Sequence, residues 1–180
     1  RGLGWAEAQG VLADVDFIVG TFSKTLGGVG GFCVADHDAL ALLHYTSRAY
    51  VFTASSSPTA IASVDAALTV QQQDRALQDK LWTNLRRARA GLTALGFTIG
   101  PVESPIIPIV IGSPERAIVA WRALLEAGVY VNLVLPPACK VDSCLLRASF
   151  SAVHEEAHID RALAIFGDVG RALGLLTTSG

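Results

Sequence analysis

The stretch "DFIVGTFSKTLGGVGGFCVAD", residues 16–36, sets a single lysine, Lys24, between two apolar runs and follows it with four glycines in seven residues. Residues 15–22 read as a buried strand and residues 31–35 as a second short one, so Lys24 is expected just past a strand end, in a glycine-rich connection. Three readings of that lysine compete. It can be a solvated loop residue. It can belong to a phosphate loop, since "GTFSKT" has Gly, Lys and Thr in order, but a P-loop needs glycine directly before the lysine and a helix directly after it. Here Ser23 precedes Lys24 and Gly27-Gly28 follow. The third reading is a lysine that condenses with an aldehyde. A strand-end amine among apolar neighbours loses solvation of its charged form, which makes the neutral nucleophile available. Hydroxyls at Thr21 and Ser23, with backbone N–H groups of the glycines, suit a phosphate beside it.

Outward from this stretch, the pattern alternates between helix and strand. "DHDALALLHYTSR" predicts a short helix capped by Asp36 or Asp38, and residues 50–55 an extended segment. A long helical pattern, as one bent helix or two, runs from Ser57-Pro58 to the break at Gly96, with Ser57 as N-cap. Strands are expected near residues 97–99, 106–111, 129–133 and 144–150. Helices are expected from Ser113-Pro114 to Ala127 and from about Glu155 to Leu173. This is an α/β pattern: the end of a larger domain, residues 1–75, followed by a small α/β domain, residues 76–180.

The 180 residues are 51% hydrophobic and 17% charged, with net charge −2 and mean hydropathy +0.44. No apolar run reaches the roughly 20 uncharged residues of a spanning helix; the longest, residues 117–137, contains Arg122 and Glu126. No transmembrane segment is therefore expected, and the excess apolarity implies a large buried interface, with a second subunit or with further chain. The one basic cluster, "RRAR" at 86–89, falls inside an amphipathic helix, which argues against nucleic acid as a partner. Cys33, Cys139 and Cys144 are odd in number and lack metal-ligand spacing, so no metal site is expected and a reducing, cytoplasmic setting is. The chain contains no methionine and begins "RGLG", as a piece of a longer protein would.

"GTFSKTLGGVGGF" (20–32), "RAYVFTASSSPTAIAS" (48–63) and "LLRASFSAVHEEAHID" (145–160) together resemble the later half of the α-oxoamine synthases, in family order and spacing. These are pyridoxal-phosphate enzymes of fold type I that join an amino acid to an acyl-CoA with loss of CO₂. "AYVFTAS" and "ALLEAGVYVNLVLPP" lie nearer the serine palmitoyltransferase branch than the aminooxononanoate synthases or the glycine-using ligases. An aminotransferase would share the lysine but not the other two blocks together.

The resemblance implies that Lys24 bears the cofactor, pyridoxal 5'-phosphate, and acts as general base. Thr21 and Ser23 would bind its phosphate. Thr53, and Ser55 with it, would reach the neighbouring subunit's cofactor in a homodimer with shared active sites. Arg147 would receive the substrate carboxylate. The implied substrates are L-serine and a long-chain acyl-CoA, giving the 3-ketosphinganine-type product that opens sphingolipid synthesis; the alternatives are glycine or alanine as the amino acid, or a non-catalytic fragment. The family's ring-stacking histidine and pyridine-nitrogen aspartate precede the lysine by more residues than the chain holds, so the N-terminal half of the same enzyme is expected as a partner. One departure stands out: an arginine is expected directly before the two prolines, and Leu135 occupies that place, with Lys140 a few residues on. His154 is expected to cap or pack instead of transferring protons.

Overall fold

A computed structural model describes residues 4–176. They form seven helices, α1 (Trp5–Ala8), α2 (Ala39–Thr46), α3 (Arg48–Val51), α4 (Pro58–Gln73), α5 (Ala76–Ala94), α6 (Pro114–Glu126) and α7 (Glu156–Ala172). Five strands accompany them: β1 (Ile18–Thr21), β2 (Gly31–Val34), β3 (Ile106–Gly112), β4 (Asn132–Val134) and β5 (Cys144–Ser149). The chain divides into two compact units at Arg75/Ala76. The long helical pattern is two helices, because Asp74 takes an extended backbone (φ −118°, ψ 105°) between α4 and α5.

In the first unit, β1 and β2 pair antiparallel from Ile18↔Val34 to Thr21↔Gly31. β1 is shorter than the run of apolar residues suggests, since its partner β2 has four residues. Ser57 caps α4 as expected: its hydroxyl accepts the Ala60 N–H at 3.2 Å, and Pro58 occupies the first turn. Two expectations are modified here. Asp38 stands at the N-cap of α2 as expected, but with helical dihedrals and no side-chain capping bond; His37 Nδ1 accepts the Ala39 N–H at 2.9 Å instead. Residues 50–55 are not continuously extended, because Tyr50 and Val51 donate back to Ser47 O at 3.0 and 2.9 Å and close a helical turn. Little of this unit is buried: Phe22 and Val64 form its interior, while Tyr45 and Phe52 are 83% and 82% exposed.

The second unit holds the main core. Its sheet has the order β3-β5-β4 and is antiparallel throughout. Period-two alternation turns Ile107, Ile109, Leu146 and Ala148 to one face, where they pack with Leu85, Ala88 and Leu92 of α5, Ala117, Ala120 and Leu124 of α6, and Ile159 and Phe166 of α7. The strand expected at 97–99 is reduced to a bridge between Ile99 and Ile109. Gly96 (φ 93°) and Gly128 (φ 92°) end their helices in the left-handed region that favours glycine. Two arginines of the "RRAR" cluster are engaged within the unit: Arg87 pairs with Asp160 and Glu156 of α7, and Arg89 donates to the carbonyls of Gly100 and Val102. Among the described residues no helix is long and apolar enough to cross a membrane.

Candidate active site

Lys24 sits in a closed loop between β1 and β2. The Phe22 N–H donates to Gly30 O (3.0 Å), the Gly28 N–H to Phe22 O (2.8 Å) and the Gly27 N–H to Lys24 O (3.0 Å). Phe22 is the buried anchor and stacks on Phe32 with centroids 5.8 Å apart. The glycines have separate reasons. Gly27 (φ 61°) and Gly30 (φ 115°) take left-handed backbone; a side chain at Gly28 would strike Val64 of α4, and one at Gly31 would strike the Gly20 carbonyl.

This loop places two hydroxyls beside the lysine. Thr21 Oγ1 and Ser23 Oγ lie 2.8 Å apart; Thr21 Oγ1 accepts the Ser23 N–H at 3.2 Å and can donate to Gly30 O at 3.3 Å. Both residues are exposed, as is Lys24. The desolvated surroundings expected for the lysine are thus not supplied by these residues, because the apolar side chain that the loop buries is Phe22, two positions earlier. An amine and two adjacent hydroxyls are the groups that an aldehyde bearing a phosphate requires. The residues fit pyridoxal phosphate at its aldehyde and phosphate ends.

Thr53 and Ser55 are exposed on the segment before α4, and among the described residues no hydrogen bond joins them to Thr21, Ser23 or Lys24. Ser56 is the hydroxyl that approaches the loop: a β-carbon at Gly30 would lie 3.1 Å from Ser56 Oγ. The hydroxyl-rich run "TASSSPT" carried that signal, but nothing in it distinguished Ser56 from its neighbours.

Arg147 lies in the second unit, exposed on the central strand β5. Among the described residues no carboxylate pairs with it; its Nη2 donates to Asn132 Oδ1 at 3.3 Å. Leu135 is partly buried against the core, and the Pro136–Pro137 peptide that follows it is cis. The position where an arginine was expected is therefore a packing position here. Lys140 is exposed. His154 Nδ1 accepts the Ser151 N–H at 3.2 Å, its carbonyl accepts from Asn84 Nδ2 at 2.8 Å, and its ring meets Phe150 edge-on. Its ring acceptor is thus engaged in holding the turn before α7. His158 completes a capping box with Glu155 at the start of that helix.

The lysine-bearing hairpin, followed by a small α/β unit whose central strand carries an arginine with no carboxylate partner among the described residues, has the makeup of a pyridoxal-phosphate enzyme. The aminotransferase class I and II family matches residues 3–166, and the chain belongs to it. Within the family it is 50% identical over 175 residues to a serine palmitoyltransferase of Caulobacter vibrioides (strain NA1000 / CB15N), covering 97% of this chain and 43% of that protein. It is 33% identical over 177 residues to an 8-amino-7-oxononanoate synthase of Geobacter metallireducens (strain ATCC 53774 / DSM 7210 / GS-15), covering 97% and 45%. The solved serine palmitoyltransferase of Sphingomonas wittichii superposes with TM-score 0.92 at 40% identity, over 98% of this chain and 45% of that one. The chain therefore spans less than half the length of the relatives it matches.

Proposed function

We propose that this chain is the lysine-bearing part of a pyridoxal-phosphate-dependent α-oxoamine synthase that condenses L-serine with a long-chain acyl-CoA, releasing CO₂ and CoA. The observation that carries the reading is the Thr21–Ser23 hydroxyl pair at 2.8 Å, set directly before Lys24 in a loop that its glycines hold shut. Identity of 50% to a serine palmitoyltransferase, against 33% to an oxononanoate synthase, supports serine over the amino acid used by other branches.

In this reading Thr21 and Ser23 bind the cofactor phosphate, and Lys24 Nζ is the covalent anchor. When bound, pyridoxal phosphate supplies an electron-withdrawing ring that takes up the electron pair released at the substrate α-carbon. Lys24 Nζ, once freed, takes the α-proton as general base. Arg147 binds the substrate carboxylate, for which a guanidinium offers two parallel N–H donors. Thr53 and Ser55 serve the neighbouring subunit of a homodimer. The exposed Tyr45 and Phe52, with the exposed Lys24, are covered in the assembled, cytoplasmic enzyme by that subunit and by the N-terminal half of the same protein.

The test uses the full-length protein with its cofactor. Borohydride should abolish the visible cofactor absorbance and leave a pyridoxyl mass on the Lys24 peptide, and Lys24→Ala should carry no such mass. Serine, alanine and glycine are then compared as substrates with a long-chain acyl-CoA. A pyridoxyl group on another lysine would sink the assignment of Lys24, and preferred turnover of glycine or alanine would move the chain to another branch.

A further inference from the structure

The register of the second sheet gives Arg147 two cross-strand neighbours, Pro108 on β3 and Asn132 on β4. Alternation along the strands puts all three on the face opposite Ile107, Ile109, Leu146 and Ala148, away from the unit's own helices. The proline ring offers no acceptor, so Asn132 is the polar neighbour. A guanidinium has only donors, which fixes the amide: Asn132 Oδ1 accepts from Arg147 Nη2 at 3.3 Å, and Asn132 Nδ2 donates to Tyr130 OH, also at 3.3 Å.

Arg87, Arg122 and Arg171 of this unit each pair with a carboxylate, and Arg89 and Arg116 donate to backbone carbonyls. Among the described residues Arg147 donates to a side-chain amide and meets no carboxylate. A neutral acceptor orients a guanidinium without offsetting its charge. A carboxylate in the same place would accept the same N–H and compete with an incoming carboxylate.

We propose that Asn132, itself held by Tyr130, is a positioning residue that fixes the Arg147 guanidinium through Nη2 and leaves its Nε and Nη1 donors, with the full positive charge, to the substrate carboxylate. The inference rests on the reading that Arg147 receives that carboxylate. Nothing about the isolated motif "YVN" announces it, because the pairing comes from strands 15 residues apart in sequence.

The experiment titrates the full-length, cofactor-loaded enzyme with L-serine and with ethanolamine, which lacks the carboxylate, following the cofactor absorbance. Asn132→Asp should weaken serine roughly ten- to hundredfold, the loss expected when a charge-assisted contact is compromised, and leave ethanolamine unchanged. Asn132→Leu should weaken serine by a smaller factor with the same selectivity. Arg147→Lys is the control for the underlying reading. If Arg147→Lys leaves serine binding intact, the carboxylate role of Arg147 fails and the inference fails with it. If Arg147→Lys weakens serine while both Asn132 variants bind it normally, the positioning role alone is overturned. Equal weakening of serine and ethanolamine in both Asn132 variants would also overturn it, by showing a general effect on the fold.

Discussion

Val64 of α4 fills the space that a side chain at Gly28 would need: a β-carbon built there lies 2.7 Å from Val64 Cγ2. Val64 is one of two buried side chains among the described residues of its unit, so it has little room to retreat. Gly28→Ala should therefore overpack this contact at a cost of about 1–3 kcal/mol and lower cofactor retention by displacing the loop that holds Lys24. The double variant Gly28→Ala/Val64→Ala should recover part of both. Gly27→Ala should not be rescued, because its difficulty is a backbone φ of 61° with nothing within 4 Å of the added carbon. Thermal unfolding and cofactor occupancy measure the three variants; an undisturbed Gly28→Ala protein would remove the steric explanation for that glycine.

Arg87 Nε and Nη2 donate to the two oxygens of Asp160 at 2.8 and 2.7 Å, and Lys80 Nζ meets Glu155 Oε1 at 2.5 Å, tying α5 to the start of α7. The hydrogen bond from Arg87 holds the Asp160 carboxyl below its usual range, and that from Lys80 does the same for Glu155. Since both folded values are depressed, the stabilisation is complete above the ordinary carboxylate pKa of about 4 and is lost as pH falls through the folded values. The urea midpoint of Asp160→Asn should therefore lie below that of the parent at pH 7 and converge on it toward pH 3. Exposed pairs contribute modestly, so the diagnostic is the convergence, not the size of the gap. Parallel acid profiles would show that the pair is electrostatically idle.

Helix ends separate what was legible in the sequence from what was not. Ser57-Pro58 and Ser113-Pro114 were readable as N-termini because side chain and backbone preferences agree locally, and both serines accept the expected N–H. Asp36 and Asp38 were equally good candidates by composition, yet His37 makes the bond, a choice set by dihedrals that sequence spacing does not fix. Residues 50–55 read as extended, and the local bonds of Tyr50 and Val51 to Ser47 overrode that at the start of the segment. Lys24, Thr21 and Ser23 stood within one motif and could be found together. Their exposure could not be foreseen, because burial depends on what else covers the loop. Asn132 beside Arg147 needed the sheet register, which joins distant strands.

Ser113→Ala removes the acceptor of the Arg116 N–H and should cost about 1 kcal/mol. Asp38→Ala should fall within about 0.5 kcal/mol of the parent, since its side chain caps nothing. Denaturant unfolding distinguishes the two. A substantial loss in Asp38→Ala would return the cap of α2 to the aspartate.

Cys144, at the head of β5, is fully buried; its thiol donates to Val141 O at 3.3 Å and lies 3.9 Å from Cys139 Sγ. Burial, reinforced by the neighbouring Cys139, pushes the Cys144 thiol up from its ordinary value. Two results follow from that one cause. Iodoacetamide should label the half-buried Cys139 first and reach Cys144 only as the unit opens, since a neutral, inaccessible thiol is a poor nucleophile. Stability should also carry an alkaline dependence that belongs to this residue. With the folded value raised, the contribution is complete below the unfolded thiol pKa of about 8.5 and declines as pH climbs beyond it, because the unfolded chain ionises first. Cys144→Ala should lose that decline while retaining whatever alkaline dependence the tyrosines and lysines impose. Unfolding midpoints of parent and variant between pH 7 and 10 decide the matter, as order-of-magnitude bounds on either side of the thiol range: a gap that is constant with pH would mean that Cys144 contributes by packing alone, and a narrowing gap that its buried proton is part of what holds β5 in the core.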